Sequence, residues 1–114
     1  MKEKVDQIKM KEGIKEWLKE VYNRLEEIVG TIVSLAETRL SEPLSSSWIS
    51  IEKTKHRNWL YENKEETQKE ISVMERYIDL DILGYYQKKI DELIQEKVGY
   101  IDNYNPKKEV EKIK

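Results

Sequence analysis

The chain has 114 residues, 39% of them charged, with 21 Lys and Arg against 23 Asp and Glu, and it lacks Cys and Phe. This length accommodates a single domain, residues 1–114, and a net charge of −2 supplies no overall field that attracts nucleic acid or an anionic membrane. Without Cys there is no disulfide framework, no thiolate nucleophile and no Cys-based zinc site. Leu, Ile and Val together exceed the roughly 20% typical of disordered chains. The composition therefore predicts a folded, cytoplasmic protein without a membrane span.

The first predicted helix extends from about residue 4 to residue 40. Its apolar residues alternate spacings of four and three, as in a heptad pattern, at Ile14, Leu18, Val21, Leu25, Ile28, Ile32 and Leu35. Tyr22, Val29 and Ala36 widen this apolar stripe. Gly13 lies off the pattern, so we expect residues 1–12 to fray. Pro43 and the serines at 45–47 predict a turn at 41–47 and an N-cap for the next helix.

The second predicted helix begins near Trp48 and has a weaker apolar stripe, at Leu60, Lys64, Thr67, Ile71, Met74 and Ile78. Residues 62–70 contain no apolar side chain, which predicts a continuous helix with an exposed middle. A third helix follows an N-cap at Asp79 or Asp81 and carries Leu83, Tyr86, Ile90 and Leu93. Gly84 marks a bend in it, or a kink in one rod formed by the second and third helices. Asn105 and Pro106 predict a short last helix, with fraying over 105–114.

These segments predict an all-α fold, an elongated antiparallel bundle of about three long helices with a short C-terminal helix and coiled-coil-like packing. The first helix is about 55 Å long at 1.5 Å per residue. A compact domain of this size has a diameter of only about 35 Å. Because a slender rod buries little surface per residue, we expect self-association as a homodimer.

Residues with catalytic potential are sparse. His56 is the only histidine, and with Glu52 one turn before it we interpret it as a solvated side chain rather than a metal ligand. Glu62, Glu65 and Glu66 support a third-ranked hypothesis, a helical Mg²⁺-dependent nucleotide hydrolase, although lysines interrupt this acidic run. We predict no catalytic residue, no resident metal and no cofactor.

A basic and aromatic segment, residues 53–61, supports an alternative function in nucleic-acid binding. Cations that contact phosphates and rings that stack on bases are typical of single-strand sites, and the candidates are Lys53, Lys55, Arg57, Trp59 and Tyr61. On a helix Lys53 and Arg57 share one face, and Lys55 and Trp59 share another. The first twenty residues carry six Lys and five acids, which does not make a basic membrane-binding face.

All ten aromatic residues are Trp or Tyr, the types enriched at protein interfaces. The leading hypothesis is therefore a non-enzymatic helical protein–protein interaction module, such as an adaptor, an assembly subunit or a small inhibitor. Its candidate contact residues are Trp48, Trp59, Tyr85, Tyr86 and Tyr100.

Overall fold

The computed structural model describes residues 2–105, with side chains from residue 12 onward. Over this range the chain forms three α-helices, α1 (Lys2–Leu40), α2 (Ser46–Val73) and α3 (Leu80–Asn103), and a 3-10 turn (Glu75–Tyr77) joins α2 to α3. No strand occurs in the described range, so the all-helical prediction is confirmed. The predicted short C-terminal helix lies outside the described residues.

The molecule is elongated, as the length of the first predicted helix indicates. Its radius of gyration is 19.0 Å and its principal extents are 70 × 25 × 18 Å, whereas a compact domain of this length has a radius of gyration of about 13 Å. Ion pairs fix the helix directions. Arg24 pairs with Glu70 and Arg39 with Glu52, so α2 runs back along α1. Lys64 pairs with Asp91, near the middle of α3.

The helix boundaries follow the capping residues. The Ser45 side chain accepts from the backbone N–H of Trp48 at 3.4 Å, and α2 begins directly after it. Asp79 caps α3 by accepting from the backbone N–H of Asp81 at 3.2 Å. In contrast to the predicted bend, α3 passes through Gly84 without interruption, and α1 likewise continues through Gly13.

Buried positions of α1 recur at intervals of both seven and eleven residues, and the eleven-residue rows continue to its C-terminal end without an exposed member. These rows are Ile14–Leu25–Ala36, Leu18–Val29–Leu40 and Val21–Ile32. Eleven residues in three turns give 3.67 residues per turn, close to the 3.6 of a straight helix, so the buried stripe needs little supercoiling. The heptad assignment of Leu35 is therefore wrong. By that position the two spacings have diverged by one residue, so that Leu35 is 49% exposed and Ala36 is buried.

The polar middle of α2 is helical throughout, as predicted, and α2 ends at Val73 rather than continuing to Ile78. Its expected exposure is wrong at Thr67, which lies in the core at 7% exposure. Lys64 is half-buried because its ammonium bonds Asp91 of α3 at 2.8 Å. A segment without apolar residues thus packs between its neighbours through one small side chain and two interhelical ion pairs, Lys64–Asp91 and Glu70–Arg24.

Candidate functional site

The most deeply buried polar group of the described residues lies between α1 and α2. His56 is 1% exposed, so its interpretation as a solvated side chain is wrong. Its Nδ1 lies 2.7 Å from the backbone carbonyl of Glu52, which can only accept, so Nδ1 carries the proton of this bond. The imidazole also packs edge-on against Trp59, with ring centroids 4.9 Å apart. These contacts replace the water that an imidazole on the surface would have.

Glu52 is buried beside His56, at 4% exposure. One carboxylate oxygen accepts from Arg39 of α1 at 3.3 Å. This hydrogen bond, together with the nearby Glu42 carboxylate, raises the pKa of Arg39 above its ordinary value. The other oxygen lies 3.7 Å from the His56 Nδ1 and has no hydrogen-bond partner among the described residues. The cluster joins α1 to α2, and nowhere in residues 12–105 do three or more His, Asp or Glu side chains converge as a metal site would require.

Two cations of the basic segment at 53–61 are directed toward α3. Lys53 donates to the backbone carbonyl of Asp102 at 2.9 Å, and Arg57 pairs with the Asp102 carboxylate at 3.2 Å. Lys55 lies on a different face and places its ammonium 5.0 Å from the centre of the Trp59 ring. Two of the three candidate phosphate contacts are thus engaged at the C-terminal end of α3, where the helix dipole also favours cations. Tyr61 remains exposed.

Glu62, Glu65 and Glu66 all lie on the exposed side of α2. Lys64, between them in sequence, extends the other way to Asp91 of α3. A Mg²⁺ site needs carboxylates that converge from more than one direction. This arrangement gives no support to the hydrolase hypothesis.

The tyrosine candidates lie where α3 meets α1. Tyr86 packs edge-on against Tyr22 of α1 and against Tyr85, with ring centroids 6.3 Å and 5.3 Å apart. The Lys89 ammonium stands 4.2 Å from the Tyr22 ring centre. Tyr100 lies fifteen residues after Tyr85 on α3, is 45% exposed and packs against Tyr104. About 22 Å of helix separates Tyr85 from Tyr100, so the tyrosines form two groups on this side of the bundle.

The three tryptophans lie on a different side of the bundle from the tyrosines, on the outer surface along which α1 and α2 adjoin. Trp48, Trp59 and Glu70 are spaced by eleven residues and therefore share one face of α2. Glu70 bonds Arg24, which identifies that face as the edge toward α1. By the same spacing Trp17 shares a face of α1 with Arg39, whose bond to Glu52 places it at the edge toward α2.

We call this surface the α1–α2 groove. It is defined by the rows Gly13–Arg24–Leu35 and Trp17–Ile28–Arg39 of α1 and the rows Trp48–Trp59–Glu70 and Ile51–Glu62–Val73 of α2. Large apolar side chains remain exposed along it, with Leu35 at 49%, Trp48 at 56%, Ile51 at 52% and Val73 at 79%. At one end Val73 borders a cleft of about 530 Å³ that is also lined by Gly13, Ile14, Trp17, Glu70 and Met74.

The five predicted partner-binding residues are thus divided between two surfaces. Trp48 and Trp59 lie in the α1–α2 groove, whereas Tyr85, Tyr86 and Tyr100 lie beside α1 on its other edge. Sequence reasoning missed the groove members Trp17, Leu35, Ile51 and Val73. An eleven-residue interval separates Trp48 from Trp59. Applied to both helices, this interval is the sequence signal that would have placed the missed residues on one surface.

Comparisons with known proteins supply no relative for this chain: no protein-family model matches it, and no curated protein or solved structure matches it at a significant level. Among the described residues, no helix contains an apolar stretch long enough to cross a membrane.

Proposed function

We propose that this chain is a non-enzymatic protein–protein interaction module, an adaptor, assembly subunit or small inhibitor, that binds its partner through the α1–α2 groove. The observation that supports this proposal is the gathering of all three tryptophans and three exposed large aliphatic side chains, Leu35, Ile51 and Val73, on one side of the bundle. In a chain with 39% charged residues, such a concentration of apolar surface is unexpected from composition alone.

The physical argument concerns what the groove gains on binding. Tryptophan is the side chain most enriched among residues that dominate binding energy, because it buries a large area with few rotatable bonds. Trp59 is already held by His56 and Lys55, so it loses little freedom on binding. Trp48 and Ile51 lie one turn apart and each is more than half exposed, so a bound partner would cover both. This is the pattern of a partly preorganised contact surface.

Site-specific photo-crosslinking in a lysate of the natural source tests the proposal. A benzophenone amino acid replaces Ile51 in the groove, Tyr85 on the α1–α3 side, or Lys88, whose side chain is 79% exposed on α3. We expect a discrete crosslinked protein from position 51 that is absent from position 88 and is lost when Trp48→Ala is added. Equal products from positions 51 and 88 would contradict the proposal. A product from position 85 alone would transfer the function to the tyrosine side.

Two further predictions accompany this function. Homodimerisation is decided by light scattering over a range of concentrations, where a constant monomer mass contradicts it. A cytoplasmic location is supported by the cysteine-free composition. The nucleic-acid alternative is weakened, since Lys53 and Arg57 already bond the end of α3.

A further inference from the structure

We propose that the occupant of the α1–α2 groove is a single amphipathic helix of a partner protein, apolar near its two ends and basic in its middle. This inference rests on the proposed function and specifies the chemistry of the partner. It follows from the order of side chains along the groove: apolar, then acidic, then apolar.

The acidic stretch lies in the middle of the groove. Between the levels of Trp17 and Trp59, the side chains within the groove rows or next to them carry two cations, Arg24 and Lys69, and four carboxylates, Glu20, Glu62, Glu66 and Glu70. Glu70 is paired with Arg24, and among the described residues the other three carboxylates and Lys69 form no ion pair, so the stretch keeps an excess of negative charge. Opposite charges across an interface favour association and select the partner. The groove therefore favours Lys or Arg at the centre of whatever lies in it.

The same charges disfavour a second copy of the chain in this groove. Two-fold symmetry places the same surface of both copies in contact. When the two grooves meet antiparallel about their centres, Glu62 and Glu66 of one copy approach the same residues of the other. Like charges brought together in an interface reject a partner that is otherwise complementary in shape.

The groove also fits a helix in length and in spacing. Trp17 and Leu35 are 18 residues apart on α1, about 27 Å, and Trp48 and Val73 are 25 residues apart on α2, about 37 Å. A helix of about 22 residues spans the interval between these lengths. A groove between two antiparallel helices accepts a third helix through apolar residues spaced three and four apart.

Two designed peptides of 22 residues provide the test. Both carry the same apolar stripe at the ends, and six central positions outside that stripe are Lys in one and Glu in the other. Binding of each labelled peptide to the full chain is measured by fluorescence anisotropy at low salt. We expect the Lys peptide to bind at least about tenfold more tightly than the Glu peptide, with a preference that shrinks as salt is added.

The protein variants locate the effect. Glu62→Lys/Glu66→Lys is expected to invert the preference between the two peptides. The matched control is Glu92→Lys/Glu96→Lys, which makes the same change of charge at the same four-residue spacing on the exposed side of α3. This control is expected to retain the preference for the Lys peptide. Circular dichroism confirms that each variant has kept its helices.

Several results would overturn the inference. These are equal binding of both peptides, binding of neither, a preference that survives Glu62→Lys/Glu66→Lys, or a preference that the α3 control abolishes equally. Self-association that Leu35→Ala disrupts would also overturn it and would make a second copy the occupant. If the peptides fail while the crosslink at position 51 persists, the interaction surface stands and only its proposed occupant is wrong. If that crosslink is also absent, the proposed function itself fails.

Discussion

The spacing of buried residues in α1 can be tested with two leucines that the heptad pattern treats alike. Leu25 is 1% exposed and Leu35 is 49% exposed. We expect Leu25→Ala to lower the free energy of unfolding by about 3–5 kcal/mol, because it removes buried methyl groups and leaves a cavity. Leu35→Ala should cost only about 0.7–1.5 kcal/mol, because Leu35 is about half exposed, which leaves roughly half of a burial free energy of about 1.5–3 kcal/mol to lose, and because no cavity forms.

Urea unfolding followed by circular dichroism measures both changes, and the slope of each transition checks that cooperativity is retained. A third variant completes the test. Ala36 is 1% exposed, so Ala36→Leu should overpack the core and cost about 1–3 kcal/mol. In the heptad pattern Ala36 lies at the margin of the stripe, where a larger apolar side chain would be neutral or stabilising. Similar losses for both leucines, together with a stabilising Ala36→Leu, would refute the eleven-residue spacing.

The remaining predictions concern a buried histidine, a buried tyrosine and a helix cap. His56→Ala should destabilise the chain by about 2–4 kcal/mol in urea titrations, whereas Asn58→Ala, at an exposed position of the same helix, should leave stability nearly unchanged. Burial, and secondarily the Glu26 carboxylate, raises the pKa of Tyr22 above its ordinary 10.0; the unfolded state therefore loses this proton first as pH rises. The stability tied to Tyr22 is complete below about pH 10 and declines above it, and Tyr22→Phe should flatten that alkaline decline when urea midpoints are compared at pH 8 and 11. Ser45→Ala should cost about 1 kcal/mol in the same titration through loss of the α2 cap, and an equal loss for Ser46→Ala would contradict the capping role.

The helix count and most boundaries were predictable because they depend on local chemistry. Pro43 restricts the residue before it, and Ser45 and Asp79 satisfy N–H groups at the starts of α2 and α3. These signals act within a few residues and need no tertiary contact. The elongated shape was predictable for a similar reason, since helix length at 1.5 Å per residue is independent of packing.

The burial of polar residues was not predictable, because it depends on which neighbours surround each side chain. The sequence alone predicts His56 and Glu52 to be surface residues. In the structure both are buried, and Arg39 of α1 bonds Glu52. Thr67 belongs to a polar run that the sequence predicts to be exposed, yet it is buried because α2 packs between α1 and α3. In the candidate site, Trp48 and Trp59 were identified from residue type alone, whereas Leu35 was assigned to the core because a seven-residue spacing fits the first part of α1 equally well.

The charges of α2 are separated across its width, and this separation connects the fold to the proposed interface. On the side toward α3, Lys53 and Arg57 bond Asp102 and Lys64 bonds Asp91. These pairs hold the two helices in register and occupy three of the cations of α2. On the side toward the groove, Glu62 and Glu66 form no ion pair among the described residues, and only Lys69 lies near them. Since α3 is acidic at the positions that face α2, the same arrangement would hold a basic helix on the opposite side. The intramolecular α2–α3 contact thus already depends on charge complementarity between helices, which is the same interaction that we propose between the groove and its partner.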